Sequence, residues 1–270
     1  MKRLRRFLIS GTLLYLGVVV VLALLERTLM YPAPSSLSGD WTPSYLNYED
    51  IEATTPHGNT IHGWFVRRDG ASKTILFCHG NGEHVGYLGE ELAFLSQTYN
   101  ANVLAFDYRG YGKSGGKTYE LGVLKDSEAA HQWLVDNGHA TPNDIILWGR
   151  SLGGAAAVHL ASIHGAHLLV LDRTFNSMVE VASTHYPWLP VRLMLRDRYP
   201  SAQRIAEYSG PVFQVHGRED RIVPFRCGEA LHDAAPGTDK RFLTPPGLGH
   251  NHPWPESIYA ALGDMLTELD

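Results

Sequence analysis

"IILWGRSLGG", residues 145–154, decides how this chain folds. A run of apolar residues ends in a serine set between two glycines, and "AAAVHLA" then continues as a helix-forming stretch of small residues. A serine on a tight turn between a strand and a helix is held in a strained backbone conformation, and strand and helix approach only where the flanking positions lack side chains. Gly149 and Gly153 supply that room, and Gly154 extends it. The pattern predicts Ser151 at the C-terminal end of a strand with its hydroxyl exposed as a nucleophile. Alone, Gly-x-Ser-x-Gly also fits a glycine-rich turn with an ordinary capping serine, so the surrounding sequence has to decide.

On either side lie short apolar, β-branched runs: "TILFC" (74–78), "NVLAFD" (102–107), "LLVLD" (168–172), "VFQVH" (212–216) and a weaker "RFLTP" (241–245). Such runs are what strands buried on both faces look like. Helix-period segments separate them at about 86–98, 120–137, 152–163, 225–234 and 256–268. Before them, "YEDIEAT" and "TIHGWFV" read as two strands joined by the turn "PHGN". The expectation is one α/β domain over 48–270, an eight-stranded, mostly parallel sheet with helices on both faces and an antiparallel start.

Partners for Ser151 follow in order. The loop after "VFQVH" delivers Asp220, and "PPGLGHNHP" delivers His250. Ser, then Asp, then His is the chain order used by α/β-hydrolases. Each has a plainer reading: Asp220 could cap the helix at 225, and His250 could be a solvated loop residue. His252 is a rival base two positions on, and Asp172, ending the strand after the serine's, is a rival acid. The loop "HGNGEH" (79–84) after "TILFC" would offer the backbone N–H of Asn81, to pair with that of Leu152 as an oxyanion site.

Other glycine patterns compete. "GYGKSG" (110–115) follows a strand and fits Gly-x-Gly-x-x-Gly, but Lys117 and Thr118 separate it from the next helix, and the acids about twenty residues on lie inside that helix. As a phosphate loop it fails because Asp107 stands where the first glycine belongs. His-x-His at 250–252 has no nearby Cys or acid cluster, so no metal and no organic cofactor is expected. Cys78 and Cys227, the only cysteines, are too few for a disulfide scaffold and read as small buried residues. With a formal net charge of -5 and no basic run after residue 6, nucleic acid is not an expected partner.

The chain begins "MKRLRRFLISGTLLYLGVVVVLALLERTLMYPAPSS". Residues 7–25 carry no charge and, as helix, extend roughly 28 Å, close to a bilayer's hydrocarbon core. Lys2, Arg3, Arg5 and Arg6 precede this run, while Glu26 and Arg27 cancel behind it. A basic cytoplasmic tail (1–6), a transmembrane signal anchor (7–25) and a juxtamembrane linker (26–47) are therefore expected, with the catalytic domain outside the cytoplasm, which is the periplasm if the source is a Gram-negative bacterium. A cleaved signal peptide is the competing reading, but its apolar core is usually shorter and no clear cleavage site follows Leu25.

Together "HGN", "DYRGYGKS", "GRSLGG", "LDRTFNS", "HGREDRIVP" and "GLGHN" resemble the α/β-hydrolases that carry a single N-terminal anchor, among them protein depalmitoylases and lysophospholipid lipases. The resemblance covers about residues 48–265. It implies Ser151 as nucleophile, Asp220 as acid, His250 as base, and Asn81 and Leu152 as oxyanion donors, in a serine hydrolase of esters or thioesters. The implied partners are a small-molecule or lipid acyl ester and the membrane. A membrane-tethered binding protein without turnover, or a serine peptidase, is the alternative. Between "LDRTFNS" and "VFQVHG" there is a short insert instead of a full lid, and Trp188, Leu189, Val191, Leu193 and Met194 in it would line an acyl pocket or simply pack a core helix.

Overall fold

The computed structural model describes residues 1–56 and 58–270, with Asn143 described by its backbone alone. One sheet contains β1 (Glu49–Thr54), β2 (Thr60–Val66), β3 (Lys73–Cys78), β4 (Ala101–Phe106), β5 (Ile145–Arg150), β6 (Leu168–Asp172), β7 (Val212–Val215) and β8 (Lys240–Leu243). They lie in the order β1-β2-β4-β3-β5-β6-β7-β8. β2 is antiparallel to both β1 and β4, and all other neighbours are parallel. The predicted turn "PHGN" includes His57, which lies outside the described residues; beside it, the Thr55 amide donates to the Asn59 carbonyl at 2.8 Å.

Covering both faces explains the strand composition. α2 (Gly89–Thr98) and α9 (Glu256–Leu269) pack on one side of the sheet, and α3 (Glu120–Asp136), α4 (Leu152–His164), α7 (Ser201–Ile205) and α8 (Phe225–Ala234) on the other. Strands between two helical layers meet apolar groups above and below, so every residue of β6 and β7 is buried. β1, at the edge, alternates instead, with Ile51 and Ala53 inward. Both cysteines are buried. α5 (Met178–His185) and α6 (Val191–Met194) form the insert between β6 and β7.

The N-terminal helix α1 runs Lys2–Met30 and is long and apolar enough to cross a membrane. Of residues 26–47, expected as a linker, 26–30 complete α1 and 31–47 lie as a strap on the domain. Tyr31 and Leu46 are buried, Trp41 stacks on His84 at 4.8 Å, and the Pro34 carbonyl accepts from the Gly112 amide at 2.9 Å. The reason is composition: a free linker would leave these large apolar side chains in water. Gly112 belongs to the rejected "GYGKSG" pattern. At φ +48°, a Cβ there would fall 2.0 Å from the Asp107 carboxylate, so this loop folds around its own acid and not around a phosphate.

One core group sets an acid limit. His131 on α3 is stacked against His164 of α4 at 4.3 Å, and among the described residues neither of its ring nitrogens has a hydrogen-bond partner. Burial, and secondarily His164, pushes its pKa down to about 4. The unfolded chain binds this proton below about 6.5 and the native state does not, so stability is full above that pH and falls as the solution is acidified toward 4. The expected loss at pH 5 is roughly 2 kcal/mol. Urea unfolding at pH 7.5 and pH 5 should show it in the wild type and show it reduced in His131→Leu; equal pH dependence in the two proteins would dismiss His131 as the cause.

Candidate active site

Ser151 joins β5 to α4 at φ +52° and ψ -115°, a region L-residues rarely occupy. Its amide donates to the Asp172 carbonyl at 2.9 Å and its carbonyl accepts from Thr174 Oγ1 at 2.7 Å, so both sides of the turn are tied down. The flanking glycines permit it. A Cβ on Gly149 would lie 2.5 Å from the Gly153 carbonyl oxygen, and one on Gly153 would lie 2.0 Å from that of Cys78. Such a strained turn leaves the Ser151 hydroxyl at the strand's C-terminal edge, at the N-terminus of α4.

Two loops from the same edge meet it. After β7 the chain turns to Asp220, whose Oδ1 accepts the amides of Ile222 and Val223 at 2.9 and 2.8 Å. Asp220 Oδ2 is 2.7 Å from His250 Nδ1, and His250 Nε2 is 3.0 Å from Ser151 Oγ. Burial alone would raise the Asp220 carboxyl, but His216, His250 and the Val223 amide hold it well below the usual carboxylate range. It is a fixed anion beside an imidazole whose other nitrogen faces a hydroxyl.

The rivals are elsewhere. Asp172 makes a bidentate pair with Arg173 at 2.7 Å and accepts from Trp254 Nε1 at 2.8 Å. Arg173 in turn donates to the carbonyls of Gly249 and His252, on either side of His250. Asp172 thus braces the histidine loop from below and does not reach the ring. His252 turns back on its own loop, accepting from the Gly249 amide at 3.1 Å.

Asn81 and Leu152 flank Ser151 from two elements. Leu152 opens α4, where first-turn N–H groups lack intrahelical acceptors. The loop carrying Asn81 abuts the serine closely: a Cβ on the adjacent Gly80 would sit 3.7 Å from Ser151 Cβ. The Asn81 side chain is engaged away from the site, its amide donating to the Met30 carbonyl at 2.7 Å and its oxygen accepting from Tyr111 at 2.5 Å. Sequence reasoning missed a further pair here. Glu83 Oε2 accepts the Gly80 amide at 2.7 Å and is held by Arg150 Nη2 at 2.9 Å. Burial would raise the Glu83 carboxyl; Arg150 overrides it and keeps it below its ordinary value. The residue before the serine therefore ties the serine's turn to the neighbouring loop.

A cavity of about 550 Å³ opens beside His250, walled by Arg150, Trp148, Trp254, Tyr259 and Phe94 among others. Trp188, Leu189 and Met194 are not among its walls. The structure sets the insert against α1 instead: the Trp188 carbonyl accepts from Tyr15 at 2.9 Å.

Known proteins are similar to this chain in sequence and in fold. A family model described as "Serine aminopeptidase, S33" matches residues 69–201. An uncharacterized protein of Mycobacterium tuberculosis is 38% identical over 244 residues, covering 88% of this chain and 84% of that protein. Alpha/beta hydrolase domain-containing protein 17C of Xenopus tropicalis is 32% identical over 228 residues, covering 82% of this chain and 72% of that one. Among solved structures, an esterase of Pyrococcus furiosus superposes with a TM-score of 0.71 at 24% identity, over 88% of this chain and 97% of the esterase. With its eight-stranded sheet, its strand-turn-helix serine and relatives at this identity and coverage, the chain belongs to the alpha/beta-hydrolase family.

Proposed function

We propose that this protein is a membrane-anchored serine hydrolase that cleaves carboxylic ester or thioester bonds through an acyl-enzyme, acting on acyl lipids or acylated small molecules. The observation that carries the reading is the His250 imidazole spanning Asp220 at 2.7 Å and Ser151 at 3.0 Å. In the first half-reaction Ser151 Oγ attacks the acyl carbonyl carbon while His250 Nε2 takes the hydroxyl proton. Asp220 accepts Nδ1–H, fixing the tautomer that leaves Nε2 free to act as base. The backbone N–H groups of Asn81 and Leu152 receive the developing oxyanion, and His250 returns the proton to the departing alcohol or thiol. Water, activated by the same imidazole, then releases the acid. Side chains and backbone suffice for each step.

Lys2, Arg3, Arg5 and Arg6 against a neutral far flank support a cytoplasmic N-terminus and an extracytoplasmic catalytic domain. A helix anchored in the bilayer keeps the domain where lipids are the most concentrated acyl compounds, which favours a lipid substrate.

An acyl-phosphonate probe on the full chain should label Ser151, and a screen of esters and thioesters should show kcat/KM rising with chain length, up to about tenfold per 1.4 kcal/mol of added transition-state binding. Failure to label would favour a binding protein on this fold. Preference for aminoacyl amides would favour a peptidase, and activity falling beyond butyryl esters would replace the lipid with small water-soluble esters.

A further inference from the structure

α1 packs against the domain long before its apolar run ends. Val19, Leu22, Ala23 and Met30 are half-buried and Glu26 is buried, a spacing of three and four that puts one face of the helix along protein. Tyr15 continues that face through its bond to the Trp188 carbonyl. At the other end the Arg196 guanidinium donates to the Ala23 carbonyl at 3.1 Å and to the Glu26 carboxylate at 2.7 Å. The insert therefore runs beside α1 from Glu26 back to Tyr15, about 16 Å of helix.

That geometry conflicts with an insert bathed in water. The uncharged run 7–25 is only just long enough for a hydrocarbon core of about 30 Å, so all of it is needed to span. Tyr15 lies near its middle. Whatever touches Tyr15 then lies inside the leaflet.

The insert's chemistry agrees. Tyr186, Trp188 and Leu193 are 52%, 55% and 89% exposed, apolar side chains grouped on one short segment without cover. Backbone in lipid must satisfy its own polar groups. Here the amides of Tyr186, Leu189, Val191, Leu193, Met194 and Leu195 donate to carbonyls within α5 or the insert, and Pro187 and Pro190 have no amide to satisfy, so that among the described residues only the Trp188 and Arg192 amides of 186–195 lack an acceptor. The Trp188 carbonyl is met by Tyr15, and that of Arg192 by Arg198. The charges are paired too, Arg192 with Glu180 at 2.6 Å and Arg196 with Glu26 at 2.7 Å. Arg196 is level with the end of the apolar run, at head-group depth, where cationic side chains are favoured.

We propose that residues 186–196 are a second membrane-embedded element, entering the acyl-chain region of the leaflet on the catalytic domain's side, with Arg196 and Arg198 among its head groups. The proposal rests on the reading that α1 spans the bilayer, and it deepens the proposed substrate. Met30, which holds the Asn81 side chain, is five residues beyond Leu25, about 8 Å along the helix. The Asn81 loop thus lies at the head-group level, and the substrate of this reading is a lipid reached by lateral movement within that leaflet.

Nitroxide labels on the full chain in phosphatidylcholine–phosphatidylglycerol vesicles test this. Leu193→Cys, Leu14→Cys and Ile163→Cys are labelled separately, the native cysteines being buried, and relaxation by oxygen is compared with relaxation by a water-soluble nickel chelate. Position 193 is expected to side with 14, favouring oxygen several-fold over 163. If 193 sides with 163 while 14 favours oxygen, the embedded insert is wrong and the anchor stands. If 14 also favours the nickel chelate, the spanning helix is wrong and the embedded insert falls with it.

Discussion

Ser151→Ala is expected to lower turnover by on the order of 10⁶ and to abolish labelling by an acyl-phosphonate, the scale seen when a triad nucleophile is removed. The fold should survive. Among the described residues the Ser151 hydroxyl makes one hydrogen bond, to His250, while the turn is held by the backbone and Thr174. The φ of +52° strains alanine about as much as serine. His250→Ala should be nearly as damaging, and the double variant no worse than either, because the two groups act as one unit on one proton. Additive losses would mean that they act separately. Near-normal ester turnover by Ser151→Ala would remove the acyl-enzyme altogether.

Much of this was legible in the chain because the signals are local. Apolar runs of four to six residues marked the central strands, since burial on both faces leaves them no polar side; β5 and β6 fall where "IILWG" and "LLVLD" stand. The turn at Ser151 was readable because its requirement for Gly149 and Gly153 is written within five residues. The contacts between distant residues were not. Nothing near Glu83 indicates that it meets Arg150, 67 positions away, and nothing in "YPAPSS" indicates that Tyr31 will bond Tyr199, 168 positions away. The docking of residues 31–47 on the domain was not legible for that reason: Pro and Ser suggest a free chain, and the few large apolar residues that dock it show no period. That the insert lies beside α1, with the Trp188 carbonyl accepting from Tyr15, was not legible either, because local patterning does not relate α1 to the insert.

The choice of acid has the second-largest consequence, and two aspartates compete for it. Asp220→Asn is expected to cost about 10⁴ in kcat with little change in KM, by analogy with loss of the triad carboxylate. Its retained Oδ1 still accepts the Ile222 and Val223 amides, so the loop keeps its shape. The amide nitrogen, however, presents N–H to His250 Nδ1, which selects the tautomer protonated at Nε2, where the base must be free. Asp172→Asn should act differently. It leaves Arg173 buried with half its pairing lost, so the expected result is about 3 kcal/mol of lost stability. Turnover should fall only through a looser histidine loop, since Gly249 and His252 still accept from Arg173. The pH profiles separate the two further. Because its hydrogen bonds hold the Asp220 carboxyl well below its ordinary range, its contribution to stability is present above an unfolded value near 4 and is lost only as pH falls through the lower folded one. Asp220 therefore stays ionised through mildly acid solution and contributes no limb to the rate profile there. Measuring kcat, KM and urea midpoints for both variants decides the matter: a dead but unstable Asp172→Asn beside an active Asp220→Asn would transfer the acid's role to the end of β6.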